Sequence, residues 1–157
     1  MAYEIPTRTG AKFDSDDESL ILDAITSWLD REVKDKVLAL DHKDEYPYEM
    51  VEQMKSLGLF GATISQEYGG LGLPSSTYAK IVATVSEVWM SLTGIFNSHL
   101  IMAAAVERFG TEDQKQHFLP RFSTGELRGG LALTEPSCGT DLQAIRTRAV
   151  RDGDSYI

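Results

Sequence analysis

Leu131-Ala132-Leu133-Thr134-Glu135-Pro136-Ser137-Cys138-Gly139-Thr140-Asp141 is the stretch around which the chain is read. It begins as a short apolar run behind Gly129-Gly130, the pattern of a buried strand. It then breaks into a turn. Pro136 fixes its own φ and biases Glu135 toward an extended backbone. Gly139 takes positive φ at little cost and lets another group approach the main chain. Thr134, Ser137, Thr140 and Asp141 place hydroxyls and a carboxylate around the turn. A strand end followed by a rigid turn rich in oxygen and N–H groups suits a flat polar cofactor. The same pattern serves an ordinary surface loop, and the stretch alone does not choose between them.

Upstream, the periodicity is helical. Residues 1–13 lack it and read as a loose arm. Ser15 and Glu18 have capping-box spacing, and Ile21, Ile25, Trp28, Leu29, Val33 and Val37 then form one apolar stripe, predicting a helix to about Leu40. His42 follows among Asp41, Asp44 and Glu45. A solvated loop is preferred there to a metal cluster, because nothing closes the ligand set. Pro47 opens a second helix with Met50, Val51, Met54 and Leu57 inward, stopped by Gly58. Gly61 to Pro74 is a glycine-rich connection. Its Gly69-Gly70-Leu71-Gly72 lacks the Lys-Ser/Thr and the preceding strand of a phosphate loop, and reads as a turn for close helix packing.

Ser75 or Ser76 caps a third helix carrying Tyr78, Ile81, Val82, Val85, Val88 and Trp89. Ser91 starts a longer one ending at Phe109-Gly110. The latter is apolar on most faces, so it belongs inside a bundle. Its His99 is either a satisfied core histidine or a cavity-lining one. Thr111 and Gln114 form a further capping box, opening a helix that Pro120 and Gly125 terminate. From there Gly129–Thr134 and Thr147–Arg151 read as strands, and Asp152-Gly153 as a hairpin turn leading to Asp154–Ile157. The expected fold is therefore mainly α. A helical domain at 14–127 is followed, at 128–157, by the first strands of an incomplete β domain. A lone hairpin is marginal in water, so the chain reads as a fragment of a longer protein or a departure from its relatives.

The formal charge of −9 is unevenly spread: residues 1–60 carry 14 acidic and 7 basic side chains, residues 61–157 carry 10 and 8. That surface repels nucleic acid and reads as a solvated acidic face. Cys138 is the single cysteine, so no intrachain disulfide forms, and a space-filling role is preferred to a nucleophile. Met1–Gly10 lacks the apolar core of a secretory signal, and the longest apolar run, Leu100–Val106, falls well short of the ~20 residues that span a bilayer. A soluble chain is expected, cytoplasmic or, in a eukaryote, in the mitochondrial matrix.

Four blocks together resemble the acyl-CoA dehydrogenase family. Leu133-Thr134-Glu135-Pro136 with Gly139-Thr140-Asp141 is similar to the family's T-E-P, two small residues, G-S-D signature. Glu67–Gly72, Phe109–Lys115 with Leu119-Pro120 and Gly125-Glu126, and Asp152–Ile157 resemble family segments in the same order, so the likeness runs from about Leu20 to Ile157. Two positions depart from the pattern: Thr140 where serine is usual, and Cys138 where a smaller residue is usual.

The resemblance implies a β-barrel-like middle domain after the helices, an FAD cofactor and an acyl-CoA substrate. It implies electron-transfer flavoprotein as partner and a homo-oligomer, dimer or tetramer, for the full-length enzyme. It places the main chain of Leu131, Ala132, Leu133 and Thr134, with the Thr134 hydroxyl, at the polar edge of the flavin. Gly139 and Thr140 lie near its pyrophosphate, with Thr140 also at the CoA entrance, and Ile95 and His99 are candidates for the acyl-pocket wall. No catalytic residue and no metal ligand is assigned within the chain. The family's glutamate base is expected beyond Ile157, and Glu135 is expected to hold the turn. The 157 residues alone are expected to bind FAD poorly. Oxidases or monooxygenases of the same fold, and a non-catalytic helical module, remain alternatives.

Overall fold

A computed structural model describes residues 15–157. The arm expected at 1–13 lies outside the described residues. The chain runs α1 (Ser15–Trp28), a π-turn (Leu29–Val33), α2 (Lys34–Lys43), α3 (Tyr48–Ser56), two 3-10 turns (Leu59–Gly61, Gln66–Tyr68), α4 (Ser75–Phe109) and α5 (Glu112–Ser123). A third 3-10 turn (Leu142–Ala144) and the two-residue strands β1 (Arg151–Asp152) and β2 (Ser155–Tyr156) follow.

The predicted stripe forms the first wall of the core. Ile25, Trp28, Leu29 and Val33 are buried, with Ile21 and Val37 packed against them. The π-turn delivers Leu29 and Val33 to the same interior, and Trp28 Nε1 donates to Gln53 Oε1 of α3 at 2.8 Å. Glu18 does not close a capping box. Its carboxylate accepts from Thr77 Oγ1 at 2.6 Å and pairs with Lys80, tying α1 to α4. The helix continues past Leu40 to Lys43, so His42 lies exposed in its last turn, and Asp44 ends it in the left-handed region at φ 54°. Pro47 is the N-cap of α3 rather than its first helical residue, and Gly58, at φ 74°, stops α3 as expected.

The third and fourth predicted helices are one element with a break. Trp89 (φ −156°, ψ 103°) is non-helical inside α4, two residues before the expected boundary at Ser91. Ile81 and Val85 before the break, and Leu92, Phe96, Leu100 and Ala103 after it, are all buried. By length and composition α4 is apolar enough to cross a bilayer, which the longest uninterrupted apolar run does not reveal. Thr111 and Gln114 make the predicted capping box on α5, in both directions at 3.2 and 2.9 Å. Pro120, however, lies within α5, and the chain turns only beyond Ser123, at Gly125.

Gly70 explains the tight connection between α3 and α4. A Cβ there would sit 2.2 Å from the Ile64 carbonyl oxygen, an approach only glycine permits. The crowding is within the loop itself rather than between helices. The hairpin pairs Arg151 with Tyr156 and Asp152 with Ser155, with Gly153 at φ 60° as the first loop residue, the position type II′ turns reserve for glycine. The strand expected at Gly129–Thr134 does not form, because no neighbouring segment among the described residues offers it a ladder.

Two substitutions separate core from cap. Phe96→Ala empties a fully buried ring site and is expected to lower unfolding free energy by about 3–5 kcal/mol. Thr111→Ala is expected to cost about 1 kcal/mol. Urea unfolding checks both, with the midpoint moving and the slope unchanged.

Candidate functional site: the Thr134–Asp141 turn and its tether

The turn holds itself together. Glu135 and Cys138 exchange backbone hydrogen bonds, Glu135 N–H to the Cys138 carbonyl at 3.0 Å and Cys138 N–H to the Glu135 carbonyl at 3.2 Å, so Pro136 and Ser137 form its tip. The Glu135 carboxylate then reaches eleven residues on. It accepts from the Arg146 amide at 2.9 Å, the Thr147 amide at 2.8 Å and the Thr147 hydroxyl. The Thr147 hydroxyl first, then the two amides, stabilise its charged form and hold its carboxyl below the ordinary range. Held by three donors from residues 146 and 147, the Glu135 carboxylate braces the turn. Asp141 is a brace too: its Oδ1 accepts from the Gln143 amide at 3.2 Å and caps the 3-10 turn.

Cys138 is half-buried with its thiol 3.9 Å from Glu135 Oε2. Among the described residues no three His, Cys, Asp or Glu side chains gather as a metal site.

The run ahead of the turn is different in kind. Leu131, Ala132, Leu133 and Thr134 are all exposed, the two leucines at 46% and 40%, and none of the four makes a backbone hydrogen bond to another described residue. Thr140 is exposed, and nothing lies within 4 Å of where a Gly139 side chain would begin. Unpaired amides and carbonyls beside apolar side chains, with free space at the glycine, fit a flat group with one polar edge.

The two helix residues expected at the pocket wall are placed differently. Ile95 is half-buried at the edge of the core. His99 is 1% exposed, inside the bundle rather than on an open wall. Its Nδ1 accepts from the Gly129 amide at 3.2 Å, so the proton sits on Nε2, which lies 3.1 Å from the Phe60 carbonyl and 3.0 Å from that of Phe122. Both nitrogens are committed to main chain, leaving none for a ligand. Burial pushes its pKa down, the two carbonyls oppose that, and the Arg128 charge adds to it. The Gly129 contact was not readable from the sequence; the only hint was a histidine in an apolar helix that needed partners. Elsewhere a cleft of about 420 Å³, lined by Asp35, Leu40, Tyr46, Tyr48, Glu49 and Met50 among others, includes none of the expected site residues.

The described residues form a bundle of helices α1 to α5, with the glycine-tight loop between α3 and α4, and the chain then leads into a self-braced Thr-Glu-Pro turn. Residues 15–126 match the family described as Acyl-CoA dehydrogenase, N-terminal domain. The short-chain specific acyl-CoA dehydrogenase of Clostridium acetobutylicum is 34% identical over 142 residues, 90% of this chain and 38% of that protein. Two solved structures superpose on it. One, described as the electron transferring flavoprotein of Acidaminococcus fermentans, has a TM-score of 0.85 at 30% identity, covering 94% of this chain and 39% of that one. The other, a glutaryl-CoA dehydrogenase from Mycobacterium smegmatis in complex with FADH2, scores 0.81 at 26% identity, covering 92% and 37%. The chain belongs to the acyl-CoA dehydrogenase family. It spans less than two-fifths of the length of these relatives.

Two titrations follow from this geometry. Glu135 strengthens the turn fully above the ordinary carboxylate range and loses that effect as pH falls through its lowered value. The Thr147 amide resonance is therefore expected to titrate with a midpoint below 4.5, and in Glu135→Gln that titration disappears. His99, with its pKa lowered from 6.5, stabilises the fold fully above that pH, and the stability declines as pH falls below it. Unfolding measured against pH is expected to show this decline in the wild type and to lack it in His99→Gln.

Proposed function

We propose that this chain supplies the helical portion and the flavin-facing turn of an FAD-dependent acyl-CoA dehydrogenase. The substrate is an acyl-CoA thioester, and an electron-transfer flavoprotein is the electron acceptor. The observation that carries the reading is the Leu131–Thr134 run: exposed main chain without backbone partners, leading into a turn that is rigid without help. The relatives' names supply the substrate class, and the FADH2 complex of the glutaryl-CoA dehydrogenase supports the cofactor.

When bound, FAD would accept the substrate's β-hydrogen as hydride at N5. What the chain contributes is binding and orientation. The amides and carbonyls of Leu131, Ala132, Leu133 and Thr134 would hold the polar edge of the ring system, and the Thr134 hydroxyl would add a side-chain donor. Gly139 leaves room for the pyrophosphate, while Thr140 offers a hydroxyl between it and the CoA entrance. Its added methyl, beside the hydroxyl, stiffens χ1 relative to serine. Ile95 contributes apolar surface on the acyl side. His99 takes no part in contacting substrate, because its nitrogens are bonded to main chain. Glu135 takes none in proton abstraction. Assembly as a homo-oligomer and a location in the cytoplasm or mitochondrial matrix belong to the same proposal.

The intact protein is expected to purify with bound flavin and to be bleached anaerobically by an acyl-CoA. Thr134→Val, which removes one hydroxyl bond, is expected to weaken FAD binding about tenfold, close to 1.4 kcal/mol. Absence of flavin binding overturns the reading. Oxygen uptake in place of dye reduction assigns the protein to the oxidases of this fold.

A further inference from the structure

We infer that His99 is a positioning residue for the flavin-facing run: through the Gly129 amide, its imidazole sets the point and direction at which Leu131–Thr134 leave the bundle. The inference rests on the reading that this run meets FAD.

The imidazole is a junction of three chain segments. The Phe60 carbonyl comes from the loop after α3, the Phe122 carbonyl from the last turn of α5, and the Gly129 amide from the start of the run. The rings of Phe60 and Phe122 meet it edge-on, with centroids 5.2 Å away at 68° and 75°, so the imidazole has no room to swing. Its tautomer is determined as well. Two carbonyls on one nitrogen require the proton there, and only the bare nitrogen opposite can accept from Gly129.

Gly129 is restrained a second time. A Cβ on it would fall 2.6 Å from Met102 Cγ and 2.8 Å from Met102 Cβ, so the backbone lies directly against α4. The next residue is free: nothing comes within 4 Å of a Cβ on Gly130. A pinned residue followed at once by an unpinned one is a takeoff point. Leu131 begins one residue later, so an error at Gly129 is carried into every main-chain group offered to the cofactor.

The test uses the intact protein with three substitutions: His99→Leu, His99→Gln and Leu92→Ala. Leucine fills the space but cannot bond. Glutamine keeps one acceptor and a two-hydrogen donor. Leu92→Ala truncates a buried side chain on the same helix and serves as the comparison for general loosening. Amide hydrogen exchange is followed in peptides covering 128–135 and in α4 and α5, alongside FAD affinity. The expected result is that His99→Leu speeds exchange at the Gly129 amide about tenfold beyond its effect on the helices and weakens FAD about tenfold, while His99→Gln restores most of both. Uniformly faster exchange, as in Leu92→Ala, or no rescue by glutamine, overturns the inference.

If His99→Leu does not fold, Gly129→Ala takes its place: it keeps the imidazole and displaces the backbone from Met102. Weaker FAD binding with unchanged helix exchange then supports the inference, and unchanged FAD affinity overturns it. A wild type that binds no FAD removes the cofactor reading instead. The exchange comparison, which needs no flavin, still decides the tether.

Discussion

One neutral imidazole closes three main-chain hydrogen bonds in the interior of this domain. Each of the groups it meets sits where regular structure has run out: past α3, at the end of α5, and ahead of the Leu131–Thr134 run. A buried amide or carbonyl without a partner costs about 1–3 kcal/mol; the Phe122 carbonyl also accepts from the Gly125 amide at 3.0 Å, while for the Phe60 carbonyl and the Gly129 amide the imidazole is the partner. The bundle can therefore end abruptly at this place without orphaned polar groups. The side chain that permits it comes from α4, the helix that also buries Leu92, Phe96, Leu100 and Ala103. Core packing and the exit of the chain from the bundle are thus set by one element.

The exit divides into two parts with opposite character. The Glu135–Cys138 bridge and the Glu135 carboxylate, which accepts from Arg146 and Thr147, make a turn that is braced from within. The four residues before it are the reverse, with main chain unpaired and two leucines in the open. Rigid turn and open run suit binding of a flat group, since the rigid part bears the ordering entropy before the ligand arrives and the open part keeps its hydrogen bonds available. The acidic residues of the signature belong to the rigid part. That is why neither Glu135 nor Asp141 is a candidate for proton abstraction, although both stand next to the proposed cofactor.

Family membership and chemistry rest on different supports. The bundle shape and the 15–126 match establish the family, and the likeness to relatives extends through the turn. Reaction, substrate and partner depend on residues over the whole length of those relatives, of which this chain spans less than two-fifths. The residues in hand contribute geometry: a fixed takeoff, a free edge, a braced corner.

Much of the helical part was legible in the sequence because the signals are local. The stripe from Ile21 to Val37, the Thr111–Gln114 box and the Gly58 stop each lie within a turn or two of the structure they predict. The Asp152-Gly153 hairpin lies equally close to its signal. The misreadings share a cause. Ser15 and Glu18 have capping spacing, yet Glu18 is drawn to Thr77 and Lys80, some sixty residues on. Gly129–Thr134 has strand composition, yet a strand exists only beside another, and composition does not supply the neighbour. The turn motif, its bracing glutamate and the apolar faces were determined by the residue order itself. Where His99 finds its partners, and hence where the run leaves the core, was decided only by tertiary structure. Those partners come from segments 23 to 39 residues away along the chain, which meet only once the bundle has closed.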